Sequence, residues 1–200
     1  MLASKRLAMI KLCKFESTDI SKLLEWIPDA RFLLQWAGPK YIFPLNRDQL
    51  MMELDGTKGH QPSHFMFKSI YTADKKTVGH IELMAVDYNK RTARLGRVLI
   101  GPNEMRSKGY GNQMIHDALK FGFEILNLNE IDLGVFDFNS SAIKCYQKIG
   151  FRKYEIRQNA RKFNDEVWTL VMMKLAKKCW QKKKCANNSL HSRPGYATTF

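Results

Sequence analysis

The sequence is short of several things, and each shortage narrows what the chain can be. Only four cysteines stand in 200 residues, Cys13, Cys145, Cys179 and Cys185. They show no CxxC spacing and are too few for a disulfide scaffold, so reduced thiols are the simpler reading. Apolar runs are short as well. None approaches the roughly 18 residues that a membrane-crossing helix needs, and the opening MLASKRLAMIKLCKFESTD has neither the long apolar region nor the small-residue cleavage site of a secretory signal. The expected location is the cytoplasm, away from any membrane. Acidic side chains are scarce too: 19 Asp and Glu face 33 Lys and Arg, for a net charge of +14. That excess is uneven, because the segment from Lys174 onward holds six lysines, one arginine and no acid, half of the total. A moderately basic domain over 1–175 and a basic tail over 176–200 are expected, the tail beginning as a fraying helix and continuing as a flexible end.

What is present is ordinary for one globular domain: 44% hydrophobic and 26% charged residues, with no internal repeat and no linker. Residues 6–13 read as a first strand. Residues 18–38 read as two short helices broken at Pro28 and ended near Gly38. The stretches 64–72, 77–87 and 91–101 have strand composition and turn-like separators, an antiparallel meander. Residues 111–126 place Met114, Ile115, Ala118, Leu119, Ile125 and Leu126 at helical spacing. A buried strand at 130–138, a helix at 140–150 and two strands at 151–161 and 166–175 complete the pattern. The fold class is α+β around a mixed sheet.

The stretch RSKGYGNQMI (106–115) puts two glycines at a helix entrance. Glycine there costs roughly 1 kcal/mol relative to alanine, so its presence argues that something must approach the backbone closely. Helix N-terminal N–H groups attract anions, and Arg106 and Lys108 add full charges. No Gly-Lys-Ser/Thr follows, which removes the Walker reading, and the third glycine of a dinucleotide fingerprint is missing.

A second constellation, NSSAIKCYQKIGF (139–151), arrives 28 residues after Gly111. A strand, then Arg-x-x-Gly-x-Gly, a helix, a strand, and Asn-x-x-Ala-Ile-x-x-Tyr-x-x-x-Gly-Phe together resemble the GNAT superfamily of acetyl-CoA-dependent N-acetyltransferases. The general likeness covers about 6–175, and the specific motifs 95–151. The resemblance implies a mostly antiparallel sheet flanked by helices and splayed at the strand before the cofactor loop. By the same resemblance Leu99, Ile100 and Gly101 line the pantetheine arm of acetyl-CoA, with a backbone N–H of Leu99 or Ile100 facing the reaction's oxyanion. Arg106, Ser107, Lys108, Gly109, Tyr110, Gly111 and Asn112 hold the pyrophosphate. Asn139 caps the following helix and bonds the cofactor arm, and Tyr146 protonates the departing thiolate. Read without the family, Asn139 is a good N-cap, Tyr146 a half-buried core tyrosine and Gly150 a helix terminator.

The general base is harder to find. Where the alanine-type ribosomal-protein N-terminal acetyltransferases carry a glutamate in the strand before the asparagine, this chain has Gly134. Glu82 in the strand GHIELM is the substitute, His80 on the same strand face assisting through water, against the plainer reading of an exposed strand glutamate. The histidines of HQPSH (60–64) are four apart, but Pro62 opposes a helical metal pair, and no metal site is expected. The expected function is acetyl transfer from acetyl-CoA to a primary amine, a ribosomal or other protein N-terminus or a small molecule such as a polyamine or aminoglycoside. An acyl-CoA-binding module without turnover is the alternative. Nucleic acid is disfavoured, since no aromatic and basic interleaving occurs, and a homodimer is left open. The GH-x-E-L strand and FGFEILNLNEIDLGV segment resemble the ribosomal-protein and spermidine acetyltransferase subgroup.

Overall fold

Alternation of apolar side chains divides the molecule into two cores on opposite faces of one sheet. The computed structural model describes residues 10–183. Strands β1 (Ile10–Lys14), β2 (Phe65–Tyr71), β3 (Thr77–Asp87) and β4 (Thr92–Ile100) run antiparallel in that order. On β2, Met66 points to one core while Phe65 and Phe67 pack on the other; on β4, Leu99 divides from Val98 and Ile100 in the same way. The expected first strand at 6–13 is observed from Ile10 to Lys14, and residues 6–9 lie outside the described residues.

The first core is closed by α4 (Tyr110–Lys120), whose Met114, Ile115, Ala118 and Leu119 are buried along one face. The helix leaves through a wider turn at Phe121–Ile125 and delivers the chain to β5 (Glu130–Phe136), parallel to β4. Next comes α5 (Ser140–Ile149), which buries Ile143, Tyr146 and Ile149 at three-residue steps. The last two strands, β6 (Arg152–Phe163) and β7 (Glu166–Ala176), complete a seven-stranded sheet of order β1-β2-β3-β4-β5-β7-β6. All pairings except β4 with β5 are antiparallel, the mixed and mostly antiparallel sheet that the sequence led us to expect.

The second core gathers Phe15, Leu33, Leu50, Met66 and Leu99 beneath three N-terminal helices. Two were expected: α1 (Ile20–Leu24) and α2 (Ala30–Ala37), separated by Pro28. Asp29 caps α2 by accepting from the Phe32 N–H at 2.7 Å. The third, α3 (Arg47–Asp55), was not expected. Its signals are weak but present: Leu50 and Leu54 are buried one turn apart, and Asn46 accepts from the Gln49 N–H at 3.0 Å. Each leucine fully buried there contributes roughly 1.5–3 kcal/mol relative to exposure.

Beyond β7, residues 177–183 are helical and Trp180 is buried, its ring 5.4 Å from that of Phe123. The tail was expected to begin as a fraying helix; the helix is observed over 177–183, held to the first core by Trp180 while 181–183 are exposed, and 184–200 lie outside the described residues. Among the described residues no helix is long and apolar enough to cross a membrane.

Candidate functional site

The two parallel strands at the centre of the sheet part company. β4 pairs with β5 only where Thr92–Arg94 meet Glu130–Asp132, while on its other edge β4 stays with β3 as far as Ile100 opposite Gly79. The register of β3 and β4 slips between His80 and Glu82, and Arg97 in the slipped stretch has φ +52°. An extra residue on one strand bends it and increases its twist, here away from β5. The gap is a cavity of about 350 Å³. Its walls are residues 95–100 of β4, residues 134–136 of β5, Asn139 and Tyr146, and a face of α2 carrying Phe32, Gln35 and Trp36.

A second, larger cavity of about 1030 Å³ adjoins it, sharing Ile100 and Arg106. It runs between the loop ahead of α4 and the flank of α5, with Ser107, Gly109, Gly111 and Asn112 on one side and Ala142, Cys145 and Lys148 on the other. Gly109 is the N-cap of α4 at φ +86°, and a Cβ added there would meet nothing within 4 Å. Glycine is therefore demanded by backbone conformation and by whatever approaches, not by packing within the protein. Behind it the first N–H groups of α4 lack intrahelical acceptors, the usual arrangement for receiving an anion. Arg106 ties the loop to the end of β4, its Nε and Nη2 donating to the carbonyls of Ile100 at 2.9 Å and Gly101 at 3.0 Å.

The structure brings Leu99, Ile100, Arg106, Asn139 and Tyr146 to the first cavity, and Ser107, Gly109, Gly111 and Asn112 to the second. Three residues expected beside them line neither cavity. Tyr110 turns to pack edge-on against Tyr71, 5.6 Å between ring centroids. Lys108 is exposed. Gly101 gives its N–H to Val78 at 3.0 Å, and a Cβ there would fall 2.0 Å from the indole of Trp26, so packing explains that glycine. Asn139 does cap α5, accepting from the Ala142 N–H at 3.3 Å. Tyr146 is 9% exposed and rests edge-on against Phe151. Burial, with a smaller contribution from Cys145, pushes its phenol well above the usual value, so its proton stays on.

Glu82 is where the structure corrects the sequence reading. It is fully buried and lines neither cavity. One carboxylate oxygen accepts from Arg97 Nη1 and His64 Nε2, each at 2.6 Å, and the other accepts from His80 Nε2 at 2.7 Å. Burial alone would raise this carboxyl; Arg97 and then the bonds from His64 and His80 overcome it and hold the group well below the usual carboxylate range. A carboxylate so enclosed and so acidic is a poor proton acceptor. His80 is likewise fully buried, between Phe15 and Trp36, so its assistance through water is not available there. Arg97 also donates to Tyr41 at 2.9 Å and to Glu53 at 3.2 Å, and Glu53 is paired with Lys40 at 2.6 Å. Arg97, Glu53, Tyr41 and His64 were missed by the sequence reading. The available signals were an arginine inside an apolar strand, next to the Gly96 that pairs with Glu82, and the weak cap of α3. His64, considered above as one of a metal pair, is held by Glu82 and lies 3.6 Å from Glu53.

Comparison with known proteins agrees with this geometry. The family model described as an acetyltransferase (GNAT) domain matches residues 10–152. A spermidine N(1)-acetyltransferase of Vibrio cholerae is 37% identical over 79 residues, 40% of this chain and 44% of that one. A prophage-derived uncharacterized N-acetyltransferase of Bacillus subtilis is 31% identical over 81 residues, 40% and 45% of the two chains. The chain thus spans less than half the length of these two curated relatives. The crystal structure of spermidine N-acetyltransferase from Vibrio cholerae in complex with CoA and spermine superposes with a TM-score of 0.76 at 22% identity, over 86% of this chain and 98% of that one. With its sheet splayed at β4, its glycine-bearing loop before α4 and a family model covering most of its length, the chain belongs to the GNAT acetyltransferase family.

Proposed function

We propose that this protein transfers an acetyl group from acetyl-CoA to a primary amine by direct attack. The observation that carries the reading is the splay itself: the β5-facing edge of residues 95–100 is unpaired by β5 along a cavity that joins the glycine-bearing groove at one end and α2 at the other. An extended thioester arm can lie along that edge with its anionic end at the α4 N-terminus, where the orphan N–H groups and Arg106 complement phosphate. The thioester supplies the activated carbonyl. The chain supplies position, backbone donors along the open edge of β4 for charge developing on the carbonyl oxygen, and the buried phenol of Tyr146 as proton donor to the leaving sulfur.

No carboxylate or imidazole is among the described residues lining the first cavity. The amine then reacts from its free-base fraction, losing its proton to solvent. This reading takes the amine as acceptor without choosing between a small molecule and a protein N-terminus; the relatives named for spermidine put polyamines among the candidates. It places the reaction in the cytoplasm, with the supply of acetyl-CoA. Titration calorimetry with acetyl-CoA, followed by thiol release across a panel of small amines and N-terminal peptides, tests it. Saturable binding with amine-dependent thiol release is expected. Binding without release from any amine would make the chain an acyl-CoA-binding module.

A further inference from the structure

We infer that the preferred acceptor is an amine carried on an aromatic or apolar body with no second positive charge, and that polyamines are poor acceptors; this rests on the transferase reading above. The wall that the acceptor must meet is the face of α2 that presents Phe32, Gln35 and Trp36 to the first cavity at positions i, i+3 and i+4, with Phe136 contributed by β5. Leu33, between them in sequence, is fully buried in the second core, against which Phe32 and Trp36 also pack while remaining partly exposed to the cavity. Among the described residues, the charged ones lining that cavity are Arg97 and Arg106, and no Asp or Glu lines it. The two acids that bind the cavity-lining Arg97 are already satisfied: Glu82 by Arg97, His64 and His80, and Glu53 by Lys40 and Arg97.

A polyamine enters with one amine neutral and the others as ammonium ions. Charges leaving water need opposite charges or hydrogen-bond acceptors to replace it, and like charges placed together oppose binding. An aromatic face attracts a single ammonium, but the reacting amine must be neutral, and the remaining ammoniums would find no unpaired carboxylate on the walls: Arg97 is matched by Glu82 and Glu53, and Arg106 adds a further positive charge. A ring or alkyl body suits the same walls by burying apolar surface against Phe32, Trp36 and Phe136.

The test compares 2-phenylethylamine with spermidine by thiol release from acetyl-CoA at matched pH and salt. The expected kcat/KM for 2-phenylethylamine is at least about tenfold higher, within the discrimination that an apolar pocket supplies. A carboxylate introduced at the cavity wall by Gln35→Glu is expected to shrink that ratio by raising spermidine turnover. Phe32→Ala, which needs no buried charge to fold, is expected to lower turnover of 2-phenylethylamine about tenfold while leaving acetyl-CoA affinity unchanged. A ratio at or below one in the unaltered protein overturns the inference. Release from neither amine, with acetyl-CoA still bound in calorimetry, overturns the transferase reading itself and the inference with it.

Discussion

The two walls of the cleft are built by different means. On the side proposed for the cofactor the work falls to backbone: a left-handed glycine, the open end of a helix, an unpaired strand edge and one arginine clamped to two carbonyls. On the acceptor side it falls to side chains, with Arg97 fixed at the bulge of β4 by Glu82, Glu53 and Tyr41, themselves drawn from three other elements or loops. A backbone site tolerates most side-chain changes and fails where conformation is at stake. A side-chain network fails when any one charge is removed, because the partner left behind is buried and uncompensated.

That contrast can be broken by substitution. The largest effect on stability is expected at Glu82→Gln, which leaves the buried Arg97 guanidinium with Glu53 at 3.2 Å in place of the 2.6 Å pair with Glu82 and should cost about 3–5 kcal/mol in denaturant unfolding. It has a pH signature. Because the carboxyl is held below its ordinary value in the folded protein, its contribution is present above the unfolded value near ~4.3 and lost as pH falls below it. The variant should lack that share of the acid-side slope; an unfolding free energy equal to the parent's would mean that the network is not what secures the acceptor wall. Next comes Tyr146→Phe, which keeps the ring against Phe151 and removes only the donor. A kcat about 10²- to 10⁴-fold lower is expected, with melting temperature and acetyl-CoA affinity little changed. A loss under about threefold would reduce Tyr146 to packing, moving the proton donor to water or another residue.

Smaller effects belong to the backbone side. Gly109→Val forces a β-branched residue to φ +86°, a strain of about 1–2 kcal/mol. Acetyl-CoA affinity should fall about 5- to 30-fold, or the loop should move with the same loss. Affinity equal to the parent's would show that the anion is received elsewhere. Asn139→Ala removes the α5 cap and should lower stability by about 1 kcal/mol; a larger loss of acetyl-CoA affinity than of stability would reveal a direct bond to the cofactor. The pH profile of turnover sharpens the contrast further. Since no carboxylate or imidazole is among the described residues lining the cavity, log kcat/KM should rise with unit slope toward the pKa of whichever amine is used. A plateau near neutrality that is the same for amines of different pKa would point to a base contributed by the protein.

The same division decides what the sequence discloses. The cofactor wall is legible because Arg106, Gly109 and Gly111 lie within six residues and Asn139 and Tyr146 within eight, close enough for turn, cap and helix rules to act locally. The meander, α4 and α5 were legible for the same reason, since their apolar spacing repeats over a few residues. Where the local rule mispoints, a long-range partner has intervened: Tyr71 captures Tyr110, and Trp26 claims the space beside Gly101. The network behind the acceptor wall draws Tyr41, Glu53, His64, Glu82 and Arg97 from a span of more than fifty residues. Nothing in their spacing announces that they meet. Glu82 looked like an available strand glutamate because exposure is a property of the assembled fold, and α3, which supplies Glu53, carries too short an apolar repeat to stand out.

The place of β7 bears on how the chain is made. Although it is the last strand in sequence, it lies between β5 and β6 and pairs with β5 along its whole length, whereas β4 holds β5 only at its first three residues. β5 leaves the ribosome about thirty residues ahead of the start of that partner, an interval of roughly 1.5–6 s at ordinary elongation rates. During it the β7-facing edge of β5 has no strand to receive it. Chains halted before residue 166 should therefore be retained by holdase chaperones, and release should coincide with synthesis of 166–176.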